Sequence, residues 1–154
     1  MTAWRIVQSR HAKAAFAGEG ARLYPGRWNQ RGIRMVYTAG SLSLAALEML
    51  AHLGTPEFLS LYVSVPITFD ESICLRVASA DLPADWADDP PPASTRRLGT
   101  EWVRRRTSAV LAVPSAIVRV ETNFLLNPAH SDFARIGIGG AAEFRFDPRL
   151  TKPR

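Results

Sequence analysis

The chain has 154 residues, 47% hydrophobic and 21% charged, with 19 Lys+Arg against 14 Asp+Glu for a formal net charge of +5. That composition excludes wholesale disorder, the length suits one domain over residues 1–154 with a core from about 4 to 150, and no run approaches the roughly 20 apolar residues of a membrane-spanning helix. The N-terminal residues are charged throughout, with no apolar leader core, and the lone Cys74 cannot form an internal disulfide, so a cytoplasmic compartment is expected.

Residues 3–8 (AWRIVQ) read as an opening strand, followed by a helical or loop stretch to Phe16. GEGARLYPGRWNQRG, with four Gly, a Pro and an Asn in 15 residues, reads as an ordered functional loop. MVYTA (35–39) is a short strand. Ser41 is a good N-cap for a helix over about 42–53, closed by Gly54 with Pro56 beyond it. FLSLYVSVPI (58–67) alternates as a strand does. PADWADDPPPAS (83–94) reads as an exposed, acidic excursion. A helix from about Thr95 to Ser108 follows, turning Leu98, Trp102 and Val103 inward and ending on Arg104–Arg106, where cations complement the helix dipole. AVLAVPSAIV (109–118) is a buried strand broken by Pro114; TNFLLNPAH (122–130) reads as a turn, and AAEFRFDPR (141–149) as the closing strand. Strands alternating with helices predict an α/β (α+β) domain around a mixed sheet.

The positive charge is unevenly spread. Residues 1–34 carry +6, residues 57–94 carry −6 and residues 95–119 carry +5. Two cationic segments separated by an acidic one either converge on a single anionic ligand or lie on opposite faces.

Glu48 is the most informative residue. On its helix the neighbours at i−4, i−3 and i+3 are Leu44, Ala45 and Ala51. A carboxylate on an apolar stripe needs a partner, such as one of the many arginines, or a chemical task. The segment Arg22 to Asn29 is the second candidate. Arginine offers a planar fork of donors suited to a diphosphate, glycine lets a backbone approach a ligand, and Tyr24 or Trp28 could stack on a ring. Tyr37 precedes the Glu48 helix on a strand, while Ser115 and Asn123 are polar residues in or near an apolar run and need hydrogen-bond partners. His11, His52 and His130 have no metal-ligand spacing, so no metal is expected. Gly137 to Ala142 lacks the lysine of a phosphate loop, Ser115 is in no nucleophile elbow, and Cys74 reads as a small core residue.

These segments fall in one order: Trp4-Arg5, Gly26-Arg27-Trp28-Asn29 with Gly32, Val36-Tyr37-Thr38-Ala39, Ala46-Leu47-Glu48, Val113-Pro114-Ser115-Ala116, Glu121-Thr-Asn123, Leu126-Asn127-Pro128-x-His130 and Phe146-Asp147-x-Arg149. Together they resemble the RES-domain family, from about Trp4 to Leu150. Pro25 departs from the family pattern, which usually has Gly before Gly26-Arg27. The resemblance implies an ADP-ribosyltransferase-like fold and a toxin of a bacterial type II toxin–antitoxin pair that consumes NAD as glycohydrolase, phosphorylase or ADP-ribosyltransferase. It assigns the family's Arg, Glu and Ser to Arg27, Glu48 and Ser115, and further pocket positions to Tyr37 and Asn123. NAD contacts are expected from Arg22, Arg27, Trp28, Asn29 and Tyr37. It also implies a cognate Xre-like antitoxin blocking the active site, DNA contact only through that antitoxin, and no membrane, and it allows a homodimer.

Two other readings compete. Transfer of ADP-ribose to a protein uses the same site with a different acceptor. A basic nucleic-acid-binding or RNA-cleaving module would need both arginine-rich segments on one face, and the chain has no recognisable motif of that kind.

Overall fold

The computed structural model describes residues 1–52 and 61–150. Strand β1 (Thr2–Gln8) is followed by a 3-10 turn over Ser9–Ala14 and a short helix α1 (Glu19–Leu23) inside the glycine-rich segment. Next come β2 (Val36–Ala39), α2 (Leu42–Leu50), β3 (Tyr62–Thr68) and β4 (Cys74–Arg76). Helix α3 (Ala93–Arg105) precedes β5 (Val110–Pro114), β6 (Thr122–Leu126), β7 (Gly137–Ile138) and β8 (Ala142–Phe144).

The strands form one mixed sheet in the order β4-β5-β6-β2-β1-β3-β7, with β8 also on β3. Only β4 and β5 run parallel; the other pairs are antiparallel. Between β1 and β2 the ladder shrinks to one register pair, Trp4 with Ala39, so the sheet parts there. Alternate residues on β2, β5 and β6 divide between two faces. Val36, Val110, Ala112, Phe124 and Leu126 pack with Ala3 and Ile67 on one. On the other, Leu111, Val113 and Leu125 pack with Trp28, Met35 and Trp102, while Ile6 and Ala39 meet Leu44 and Ala45 of α2. Truncating a fully buried leucine such as Leu111 or Leu125 in such a core costs about 2–5 kcal/mol.

Local chemistry explains the helix ends. Ser41 is extended at φ −138°, ψ 157°, and its Oγ accepts from the Leu44 N–H, as the sequence predicts for an N-cap. The expected helix end at Gly54 and Pro56, and residues 58–60 of the expected strand, lie outside the described residues. Helix α3 ends where Arg106 turns left-handed, at φ 50°. It approaches the glycine-rich segment so closely that a Cβ at Gly99 would collide with the Trp28 carbonyl, and Thr100 Oγ1 accepts from the Gln30 N–H at 2.9 Å.

Three expectations need correction. Residues 122–126 are a strand and not a turn, since Phe124, Leu125 and Leu126 are buried between β2 and β5 and the chain turns only at Asn127-Pro128. The closing strand is confined to Ala142–Phe144, because the Asp147 carboxylate accepts from the Arg149 N–H and starts a turn. The Pro-rich segment is an exposed excursion only in part: Asp88, Asp89 and Pro90 are exposed, whereas Trp86 packs against the cluster of Leu111 and Val113. The strand-like context of Cys74 is the short strand β4, which pairs parallel with β5. No helix among the described residues is long and apolar enough to cross a membrane.

Candidate active site

Helix α2 carries Glu48 to the end of β5 and β6, where two side chains converge on one of its oxygens. Ser115 Oγ donates to Glu48 Oε1 at 2.8 Å, and Asn123 Nδ2 donates to the same atom at 2.6 Å. Ser115 Oγ also accepts from the N–H groups of Ile117 and Val118, at 3.1 and 3.0 Å, so its hydroxyl direction is fixed by backbone. Asn123 sits opposite Ala39 of β2 and Val113 of β5. Its Oδ1 is buried without a hydrogen-bond partner among the described residues. Nothing described bonds the second oxygen of Glu48. Among the described residues no arginine pairs with Glu48, which removes the salt-bridge alternative: two neutral donors orient the carboxylate instead.

Tyr37 organises the neighbouring wall. Its Oη accepts from the Trp28 N–H at 3.0 Å and donates to Asn29 Oδ1 at 2.7 Å. Burial pushes the phenol well above its ordinary pKa, and the nearby Arg96 and Arg27 charges pull weakly the other way. The loop crosses this hydroxyl at Gly26, where a Cβ would stand 2.7 Å from Tyr37 Oη. Asn29 is fully buried and fully used: Oδ1 accepts from Gly26 N–H, and the two N–H donors of Nδ2 are shared among the carbonyls of Ala21, Gln30 and Ile33, at 2.8, 3.1 and 3.3 Å. Its work is holding the loop. Trp28 is only 2% exposed and its indole lies in the core with Met35 and Trp102, which corrects the expectation that it stacks on a ligand.

The arginines divide. Arg27 Nη1 donates to the carbonyls of Trp86 and Asp88 at 2.8 and 2.7 Å, which fixes one corner of the guanidinium and leaves its other donors unused by described residues. Arg96 of α3 donates from Nε to the Gly26 carbonyl at 3.3 Å. One arginine of the second cationic segment, Arg96, thus reaches this loop, while Arg97 and Arg104–Arg106 are exposed on α3 and at its end. Arg22 is instead paired with Glu19, Nε to Oε1 at 2.7 Å.

Arg5 is a residue that sequence reasoning passed over except as part of a motif. It bridges the parting of β1 and β2, donating from Nη1 to the Tyr37 carbonyl at 2.7 Å, while its buried Nε has no partner among the described residues. Burial lowers its guanidinium to about 10 from the ordinary 12.5. The available signal was a charge between Trp4 and Ile6 in an otherwise apolar strand. Among the described residues no group of three or more His, Cys, Asp or Glu side chains could hold a metal ion.

The arrangement offers one oriented carboxylate, a fixed arginine fork with further cations nearby, and a rigid loop over Tyr37. That set suits stabilising developing positive charge at one point while binding an anion at another.

Comparison with known proteins agrees in family and fold. The RES domain model matches residues 2–147. The "Toxin Res" of Yersinia enterocolitica is 40% identical over 151 residues, covering 97% of this chain and 99% of that protein. The "Prs ADP-ribosylating toxin" of a Sphingobium strain is 35% identical over 156 residues, covering 97% and 96%. Among solved structures, the crystal structure of the M. tuberculosis MbcT–MbcA toxin–antitoxin complex contains a chain that superposes with a TM-score of 0.74 at 16% identity, covering 97% of this chain and 86% of that one. The likeness at that identity is one of fold.

Proposed function

Because the chain belongs to the RES-domain family, we propose that it is a toxin that breaks the nicotinamide–ribose bond of NAD. The observation that carries this reading is the Glu48 carboxylate, oriented through one oxygen by Ser115 and Asn123 with its other oxygen left open. Cleavage of this bond passes through an oxocarbenium-like state, as in glycoside cleavage. The electron pair of the C–N bond leaves with nicotinamide, whose ring is cationic beforehand and neutral afterwards, so no strong general acid is required. A fixed negative charge beside the anomeric carbon stabilises the transition state and orients the ribose hydroxyls or the incoming acceptor. Arg27, with its corner held by the 86–88 carbonyls, clamps the diphosphate. Tyr37 and Asn29 keep the Arg27 loop rigid, and Arg96 adds positive charge beside it. Trp28 is left with a core role.

The acceptor is water, phosphate or a protein; the name of the Sphingobium relative favours transfer to a protein as the second reading. A toxin that depletes NAD in its own cytoplasm requires neutralisation. We therefore assign it a cognate antitoxin of the Xre-like kind that closes the site and supplies any DNA contact, in keeping with the shared fold of the toxin–antitoxin neighbour. The test is nicotinamide release from NAD by the purified chain, with and without phosphate, with mass spectrometry of the ADP-ribose product. Absence of nicotinamide under every acceptor condition overturns the reading.

A further inference from the structure

Beside the Glu48 cluster a groove of about 340 Å³ runs toward the β4 edge of the sheet, lined by Arg76, Leu82, Trp86, Val113, Arg119 and Thr122 among others. It touches both halves of the site already described. Val113 and Thr122 are the immediate neighbours, across or along the strands, of Asn123. Trp86 forms the facing wall, and its carbonyl holds Arg27. The Arg119 guanidinium lies over the Trp86 ring, 5.9 Å from its centroid. Among the described residues neither Arg76 nor Arg119 is paired with a carboxylate, and Glu121 on the same rim accepts from Ser41 Oγ. The groove thus carries two arginines against the one carboxylate of Glu121, is aromatic on one side, and lies at the lower end of the roughly 300–1,000 Å³ of small-molecule sites, which suits half a dinucleotide.

We propose that this groove is the adenosine subsite, with Trp86 and Arg119 as the pair that recognises the adenine ring. The proposal rests on the NAD reading above. Of the two ends of NAD, the nicotinamide ring is cationic and is repelled from a cleft between two arginines. The adenine ring is neutral, stacks on an indole or a guanidinium plane, and is joined to the phosphates that the arginines attract. Arg27 is held on the Trp86 carbonyl, so a diphosphate clamped there is followed along the Trp86 segment by this groove. The Pro-rich segment thereby does two things at once: its carbonyls aim Arg27, and its indole receives the base.

The test is calorimetric titration of the full chain with AMP and, separately, with nicotinamide mononucleotide. Arg119→Ala is expected to weaken AMP binding by about tenfold, the scale of one lost stacking contact, and to leave nicotinamide mononucleotide within twofold. Trp86→Ala weakens AMP similarly, and Trp86→Phe, which keeps a ring, recovers most of the loss. Failure of the wild-type chain to bind AMP overturns the proposal. So does an equal loss for both ligands in Arg119→Ala, which would place Arg119 on the acceptor or a shared phosphate. A chain that binds AMP as described but releases no nicotinamide from NAD overturns the cleavage reading and leaves the subsite standing.

Discussion

Asn123 and Glu48 are 75 positions apart in sequence and meet at 2.6 Å, amide nitrogen to carboxylate oxygen. The contact exists because β6 lies between β5 and β2, with the Glu48 helix following β2 directly. Ser115 reaches the same oxygen from the end of β5. A carboxylate so held has a fixed orientation and a second oxygen that no described residue bonds, which is what the proposed role as electrostatic stabiliser requires: orientation settled before substrate arrives.

Removing the charge while keeping the shape should therefore separate chemistry from folding. In Glu48→Gln the side-chain carbonyl can still accept from Ser115 and Asn123. The melting temperature is expected to stay within a few degrees, while kcat for nicotinamide release falls about 10²–10³-fold. Wild-type turnover in a folded Glu48→Gln chain would remove Glu48 from the mechanism.

The two donors should differ in what they do for stability. Ser115→Ala removes the acceptor of the Ile117 and Val118 N–H groups, and because Ile117 is exposed and can turn to water, the cost is about 1 kcal/mol. Asn123→Ala loses one bond to Glu48 and also removes an acceptor that has no partner, so it costs less. Both should lower kcat, and because they act on one oxygen the double variant should fall short of the product of the two single losses. Denaturant melts and steady-state rates on the three variants check both statements.

Much of this was legible before the fold was known, and the failures have physical causes. Ser41 as a cap and the helix carrying Glu48 follow from local chemistry, which a sequence displays. Residues 122–126 misled because Asn127 and Pro128 signal a turn locally, whereas a strand is decided by the partners that cover it, here β2 and β5. Trp28 misled for the opposite reason. Flanked by Arg27 and Asn29 in a glycine-rich stretch it has no apolar periodicity, yet Gly99 lets α3 press its backbone into the core. Arg96 was visible only as one of many arginines; its place beside Gly26 depends on that same close approach.

Gly99 should then be among the least replaceable residues. A methyl group there meets a backbone carbonyl, not a flexible side chain, so relief requires α3 and the Trp28 segment to move apart. Gly99→Ala is expected to cost about 1–3 kcal/mol, as overpacking does, despite alanine's better helix propensity. Since the displaced segment carries Arg27, the KM for NAD should rise alongside. Unchanged stability by denaturant titration would show that the helix has room to yield.

Arg27 should respond differently to its two obvious replacements. Lysine retains the charge but cannot give one nitrogen to the Trp86 and Asp88 carbonyls while presenting a planar fork to a diphosphate. Both Arg27→Lys and Arg27→Ala are expected to raise the KM for NAD about tenfold or more, with kcat less affected and lysine recovering only part of the loss. A KM equal to wild type in either variant rules out the clamp.

Arg5 gives the last prediction, and its sign comes from linkage. Burial lowers the guanidinium to about 10 in the folded protein, below its ordinary 12.5. The unfolded chain therefore holds this proton more tightly, so the group opposes folding at neutral pH, and its penalty shrinks as pH rises through about 10 toward 12.5. One hydrogen bond, to the Tyr37 carbonyl, offsets part of that cost, and the buried Nε offsets none. Arg5→Met keeps an unbranched side chain as far as the Nε position and removes the desolvated charge together with the bond to Tyr37. Its melting temperature at pH 7 should equal or exceed that of wild type, and the gap should stay constant up to about pH 9 and narrow only in melts above about pH 10. Activity should fall nevertheless, because the guanidinium fixes the backbone of Tyr37, and through Tyr37 the loop that aims Arg27. A large loss of stability at pH 7 would mean that Arg5 is kept for the fold. Retained stability with lost turnover means that it is kept for the site.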